Sequence, residues 1–293
     1  MDHIAICIAT FKRPQLLEAL LNAIERQMTG SRFRFSVIIV DNDANASAQT
    51  IAENYTRHYH IESEKNIALA RNRAVTEAMA LGADFIAFID DDEVPVLDWL
   101  LRLYEAIQGM DIVHGPVRSD VPNTPFYKVF FSRLERARSP SLTNIGHGTG
   151  NCLIRAGVFQ QLRFDPAFGI SGGEDSDFFY RAWQAGLRFG WAQDAVVTET
   201  VPPNRITVQW ALARAFRGGN SFIRIHQKNT DRRTQLILFG TLWMKLFIDV
   251  IYIPIMPLIV VASPVWFWRI VRKSFGHLGQ LYAFMNYVYL EYR

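Results

Sequence analysis

The chain has 293 residues, 49% of them hydrophobic and 20% charged, and a net charge of +3. That is length for one large domain or a domain with an appendage, and enough apolar material for a substantial core. The slight charge gives no ground for a nucleic-acid partner, and two cysteines without C-x-x-C spacing exclude a disulfide framework or a zinc site of that kind.

Asp2 and His3 open the chain ahead of an apolar run, so no signal peptide is expected. Ile4–Ala9 reads as a buried strand containing one of the two thiols, Cys7. Pro14–Gln27 reads as a helix with Leu16, Leu17, Leu20, Leu21 and Ile24 on one face and Pro14 in its first turn. Phe35–Val40 is a second strand and Ala48–Tyr59 a second helix, with a short strand near Tyr59–Ile61. Ile67–Leu81 is helical, and Phe85–Ile89 is a strand without a polar residue. Such alternation predicts an α/β fold, a mostly parallel sheet flanked by helices. Ligands of these sheets bind beyond the carboxyl ends of the strands. Thr10–Arg13, Asp41–Asp43 and Asp90–Asp92 all stand there.

Beyond Asp92 the alternation weakens. Ser139–Gly150 reads as a loop, and Asn151–Arg155, with the second thiol Cys152, as a strand. Gly169–Gly173 reads as a flexible turn into the acidic segment Glu174–Asp177. Thr207–His226 reads as a basic helix that Gly218–Gly219 could break. Leu236–Trp268 is strongly apolar; Val250–Trp268 has no charge but three prolines, at 254, 257 and 264. Residues 1–230 therefore read as a catalytic domain and 231–293 as a helical membrane-associating region. The prolines favour a re-entrant or surface-lying helix pair over one straight span.

Asp90-Asp91-Asp92 is the strongest chemical signal. Three adjacent carboxylates repel one another, and Mg²⁺ or Mn²⁺ would relieve that repulsion and bridge to a diphosphate. The competing reading is a solvated turn capping a helix. Glu174 and Asp175, after two glycines, could project into a cleft where one accepts a proton from a hydroxyl, or could simply favour a helix N-terminus. Asp41 and Asn42 could read a base edge or ribose, or form an ordinary Asx turn. Arg71, in a segment that opens a helix at Asn66, offers an anion site; Arg13 is a weaker candidate of the same sort. Glu199 is a candidate third metal ligand or a surface carboxylate.

Taken together, Ile8-Ala9-Thr10-Phe11-Lys12-Arg13-Pro14, Val40-Asp41-Asn42-Asp43, Asn66-Ile67-Ala68-Leu69-Ala70-Arg71-Asn72, Ile89-Asp90-Asp91-Asp92 and Gly172-Gly173-Glu174-Asp175-Ser176-Asp177 resemble glycosyltransferase family 2, of GT-A fold, over roughly residues 1–225. Glu199-x-Val201-Pro202-Pro203-x-Arg205 is similar to the branch containing succinoglycan-type exopolysaccharide enzymes. The resemblance implies nucleotide contacts, commonly to uridine, from Thr10, Asp41, Asn42 and Arg71. It implies ribose and metal contacts from Asp90 and Asp91, the main metal carboxylate at Asp92, a catalytic base at Asp175 and an acceptor contact at Glu174. Many members carry His where this chain has Glu199 or its neighbours. The Gln-x-x-Arg-Trp motif of processive synthases does not occur, so transfer of one sugar is expected. The implied reaction is inverting transfer from a UDP-sugar to a saccharide acceptor, which a membrane-associated enzyme would take polyprenyl-diphosphate-linked at the cytoplasmic face of the plasma membrane. Competing classes are a metal-dependent nucleotide-sugar hydrolase, which consumes donor without acceptor, and a membrane-associated nucleotide sensor, which binds without turnover.

Overall fold

The computed structural model describes residues 1–131, 141 and 147–291. Of the expected loop at 139–150, residues 139–140 and 142–146 lie outside the described part. The described residues fall into two compact units. The first is drawn from 1–119, 133–170 and 174–200, the second from 120–132, 171–173 and 201–293. A boundary at 230 thus falls inside the second unit.

The first unit begins β1 (Asp2–Thr10), α1 (Pro14–Glu25), β2 (Phe33–Asp41), α2 (Gln49–Ala52), β3 (His58–Ile61), α3 (Ile67–Ala80) and β4 (Phe85–Phe88). It continues β5 (Glu93–Pro95), α4 (Trp99–Ala106), β6 (Ile112–His114) and β7 (Val117–Ser119). The second unit contributes α5 (Pro125–Phe130). The first then resumes with β8 (Cys152–Arg155), α6 (Glu174–Gln184), β9 (Phe189–Trp191) and β10 (Val197–Glu199). Seven strands form one sheet in the order β3-β2-β1-β4-β8-β6-β9. All its pairings are parallel except those of β8, which runs antiparallel to β4 and β6. A three-stranded sheet, β5-β10-β7, accompanies it.

β1 shows why this sheet is covered on both faces. Successive residues of a strand point to opposite sides. Ile4, Ile6 and Ile8 join the cluster containing Leu17, Leu20, Leu21, Trp99 and Leu103, whereas Ala5 and Cys7 join that of Ala70, Ala74, Phe178 and Phe179. Truncating a side chain such as Leu20, fully buried here, to alanine typically costs about 2–5 kcal/mol. Cys7 and Cys152 are free and buried, and burial raises both thiols above their ordinary range. The expected helix 48–59 is much shorter: α2 ends at Ala52 because the chain must return to pair His58–Ile61 with Ile38–Asp41. Thr56 assists the return, donating to Val37 O at 2.7 Å and accepting from His58 N at 3.0 Å.

The second unit is helical: α7 (Val208–Asn229), α8 (Arg232–Tyr252), α9 (Met256–Ala262) and α10 (Pro264–Phe284), with a 3₁₀ turn at Ile253–Ile255. α7 runs unbroken through Gly218–Gly219, correcting the expected break. Its glycine serves packing instead: a Cβ on Gly219 would strike the carbonyl of Gly276, and one on Gly279 that of Phe216. The prolines act as anticipated. Pro254 lies in the 3₁₀ turn, Pro257 in the first turn of α9, and Pro264 at the first position of α10, where a missing N–H costs nothing.

Candidate active site

The first unit brings the ends of β1, β2 and β4 side by side, with Thr10 in register with Asp41. Thr10 Oγ1 donates to Asp91 Oδ2 at 2.8 Å. Arg13 Nη1 bridges the acidic cluster, 3.0 Å from Asp91 Oδ1 and 2.9 Å from Asp92 Oδ2. Asp91 and Asp92 are buried, whereas the Asp90 side chain is 36% exposed. Burial raises the Asp91 carboxyl. Asp92 is pushed up to about 6, first by burial and then by Asp90 and Asp91, with Glu199 adding to the effect against Arg13. Burial and these neighbouring carboxylates together disfavour its charged form. Among the described residues, no three His, Cys, Asp or Glu side chains are already grouped to hold a metal.

Glu199 stands in β10 and accepts from Ser119 Oγ at 2.8 Å. Thr200 N donates to Asp92 O at 2.8 Å, tying the end of β10 to the acidic turn. The donor set is therefore hard oxygen, suited to Mg²⁺ or Mn²⁺. Asp92, facing Glu199 and Asp90, is the group a cation would most relieve.

Arg71 is the second bridge. Its Nη2 lies 3.1 Å from Asp90 Oδ1, and its Nη1 pairs with Glu174. One buried guanidinium thus joins the acidic turn to the Gly-Gly-Glu-Asp segment, whose Glu174 is 103 residues beyond Arg71 in sequence. α3 is positioned for this by Asn66, whose side chain caps it by accepting from Ala68 N and Leu69 N. Glu174, Asp175 and Asp177 occupy the first turn of α6, where the helix dipole favours negative charge. Asp177 is fully buried and pairs with Arg181 at 2.8 Å, so it is structural. Asp175 is partly exposed, and its Oδ1 accepts from Ser176 N at 2.6 Å.

Asp41 and Asn42 lie at the same edge and are engaged by the chain itself. The buried Asp41 carboxylate accepts from Asp43 N, Ala48 N and Tyr59 Oη at 3.0, 2.8 and 3.0 Å. Burial and this carboxylate raise the Tyr59 hydroxyl above its ordinary range. Asn42 Nδ2 donates to Glu62 O and Glu64 O at 2.9 and 2.6 Å, and Oδ1 accepts from Asn66 N at 2.9 Å. Both residues tie the chain after β2 to neighbouring backbone.

Sequence reasoning missed Gly148 and Gly150. A Cβ on Gly150 would lie 2.6 Å from Glu93 Oε1 and 3.0 Å from Asp90 Oδ2; one on Gly148 would lie 3.3 Å from Asp175 Oδ2. The segment between them runs beside both carboxylate groups, and a side chain at 150 would require Glu93 or Asp90 to move. The Gly-x-Gly spacing was the available signal. Asn151, at φ 62°, anchors the end of this segment, accepting from Trp99 Nε1 at 2.7 Å and donating to Pro116 O and Ala195 O at 2.8 and 2.6 Å.

Comparison with known proteins bears on the family and the fold. Residues 5–167 match the glycosyl transferase family 2 domain. The succinoglycan biosynthesis protein ExoM of Rhizobium meliloti (strain 1021) is 35% identical over 237 residues, covering 76% of this chain and 75% of that protein. Among solved structures, S. aureus TarS 1–349 in complex with UDP-GlcNAc superposes with a TM-score of 0.55 at 15% identity, covering 94% of this chain and 91% of TarS. GalNAc-T7 with UDP, GalNAc and Mn²⁺ gives 0.54 at 13% identity, covering 78% of this chain and 48% of that one. At these identities the structural likeness establishes the GT-A fold.

Proposed function

We propose a reaction for this chain, which belongs to glycosyl transferase family 2: inverting, non-processive transfer of a sugar from a UDP-sugar to a saccharide hydroxyl in exopolysaccharide synthesis. The chain is a glycosyltransferase that uses a nucleotide-activated sugar. The choice of UDP rests on the solved relatives that bind it. The observation that carries the proposal is the double bridge: Arg13 across Asp91 and Asp92, and Arg71 across Asp90 and Glu174. In this reading the two bridges join the donor end of the site to the proton-accepting end.

In this reading Thr10, Arg13, Asp41, Asn42, Arg71, Asp90 and Asp91 shape the nucleotide-sugar site. Asp92, with Glu199 facing it, would hold Mn²⁺ or Mg²⁺; such a cation supplies positive charge to a departing diphosphate. Asp175 takes the proton from the acceptor hydroxyl. That oxygen forms a bond to the anomeric carbon as the bond from this carbon to the diphosphate oxygen breaks, and the configuration inverts. Glu174, fixed by Arg71, contacts the acceptor.

The second unit supports placement at a membrane. The segment Arg232–Ala262 contains an 18-residue window of mean hydropathy 2.1 with no buried residue. Length and composition suffice for a span, but the 3₁₀ turn at Ile253–Ile255 favours a bent, surface-lying arrangement. Asp249 pairs with His277 at 2.8 Å, which keeps its charge satisfied near the apolar face. Attachment to the cytoplasmic face of the plasma membrane suits a polyprenyl-diphosphate-linked acceptor.

The test is thermal stabilisation of the full chain by UDP, UDP-glucose, UDP-galactose and UDP-GlcNAc, with and without Mn²⁺. Metal-dependent stabilisation by UDP and at least one UDP-sugar, together with acceptor-dependent UDP release, is expected. UDP release that ignores acceptor would establish the hydrolase instead, and binding without release the sensor.

A further inference from the structure

The turn that leads into α6 is unusual. Gly172 and Gly173 both have positive φ, 75° and 101°, a region that favours glycine. This turn belongs to the second unit with α7 and residues 287–291. Ser221 Oγ on α7 donates to Gly172 O at 3.1 Å, and Arg224 Nη1 donates to Ser171 Oγ at 2.6 Å. Arg217, one turn earlier, pairs with Glu291. A Cβ on Gly172 would lie 2.9 Å from Glu291 Oε2 and 3.2 Å from Arg217 Nη1, so the ion pair sits directly on the turn.

Glu291 is brought there by a reversal. Asn286, at φ 61°, turns the chain after α10. The returning segment is clamped by the buried Asn220, whose Nδ2 donates to Tyr287 O at 2.8 Å and whose Oδ1 accepts from Tyr289 N at 3.3 Å. The Phe216 ring meets those of Tyr282, Tyr287 and Tyr289 at 5.4, 6.4 and 5.9 Å.

We propose that residues 287–291 and α7 form a strap that fixes the Gly172–Gly173 turn, and through the Gly173–Glu174 peptide bond sets the orientation of Glu174 and Asp175. Arg217, Ser221, Arg224 and Glu291 act through the turn and are positioning residues. This rests on Asp175 being the base. A base must lie within hydrogen-bond reach of its proton, and a misplacement near 1 Å costs about 10²-fold in rate. The strap therefore acts on turnover more than on donor binding, since Arg71 is the donor-site residue that meets this segment, through Glu174.

The experiment uses the full chain with Mn²⁺ and the UDP-sugar that stabilises it most. UDP release gives kcat and donor KM, and hydrogen exchange reports the 171–178 amides. Arg224→Ala and Glu291→Gln are expected to lower kcat about 10–100-fold, to leave donor KM within about twofold, and to speed exchange at 174–177. Arg224→Lys keeps a donor for Ser171 and is expected to restore most of kcat, which a general loss of packing would not produce. Glu291→Gln preserves size and shape, so it decides the matter should Arg224→Ala not fold. Unchanged kcat in Glu291→Gln and Arg224→Ala, or kcat and KM shifting together without local exchange, overturns the strap. If Asp175→Asn is inactive while the strap variants are normal, the strap alone falls; if Asp175→Asn is active, the base assignment falls.

Discussion

Residues 1–200 carry 19 Lys and Arg against 25 Asp and Glu, whereas residues 201–293 carry 12 against 3. One part of the chain is net negative by 6 and the other net positive by 9, which the overall +3 conceals. Their apolar residues are disposed as differently. In the first unit the strands bury both faces and leave carboxylates at their ends. In the second, Trp243, Phe247 and Ile251 of α8 are each at least half exposed, and Leu242 is the one buried residue described in that helix. A basic helical unit with an uncovered apolar face fits an anionic lipid surface. The acids at the strand ends are bridged by Arg13 and Arg71. In the proposed reading the α8 face serves attachment and the acids of the first unit serve chemistry, so these two can be altered one at a time.

The largest expected effect is on attachment. Trp243→Glu, Phe247→Glu and Ile251→Glu combined should lower binding to phosphatidylglycerol-containing vesicles at least about 10²-fold, since each buried side chain contributes about 1.5–3 kcal/mol. Mn²⁺-dependent stabilisation by UDP should persist, and its loss would mean that the units are not separable in this way. The reciprocal change, Asp92→Asn, should leave vesicle flotation intact. It should remove the metal-dependent UDP stabilisation, about 2.7 kcal/mol at a hundredfold excess over Kd. Next, Gly150→Ala pushes a methyl against Glu93 and Asp90, and should reduce transfer about tenfold or more with flotation unchanged.

The smallest effect is a pH dependence confined to the first unit. His114 is buried against His147, Phe179 and Phe189, neither ring nitrogen has a partner among the described residues, and burial holds its pKa well below 6.5. The folded ring stays neutral while the unfolded one protonates below about 6.5. Stability is therefore complete above that pH and falls as pH drops, by up to about 1.4 kcal/mol per unit. His114→Phe should flatten the slope between pH 7.5 and 5.5 in denaturant unfolding, and an unchanged slope would contradict the neutral assignment.

Much of the first unit was legible because its strands are apolar runs and its acids follow them directly. Asp41 and Asp90–Asp92 announce the sheet edge in this way. β5, β7 and β10 were not legible: three residues each are too few to show a period of two. α2 was overread because helical periodicity says nothing of a strand that must form a few residues later. Gly219 read as a breaker, whereas close contact with Gly276 demands it within a helix. The two arginine bridges join residues 19 to 103 positions apart, and no local pattern encodes which carboxylate each arginine meets.

The central claim is that Asp175 is the base and that donor and acceptor chemistry reside on the Arg13–Arg71 frame. The most direct measurement is acceptor-dependent UDP release by Asp175→Asn at saturating UDP-sugar and Mn²⁺, alongside UDP affinity of the same variant. The account predicts a loss of about 10²–10⁴ in kcat with affinity retained. Near-normal turnover, or affinity lost together with turnover, would contradict it.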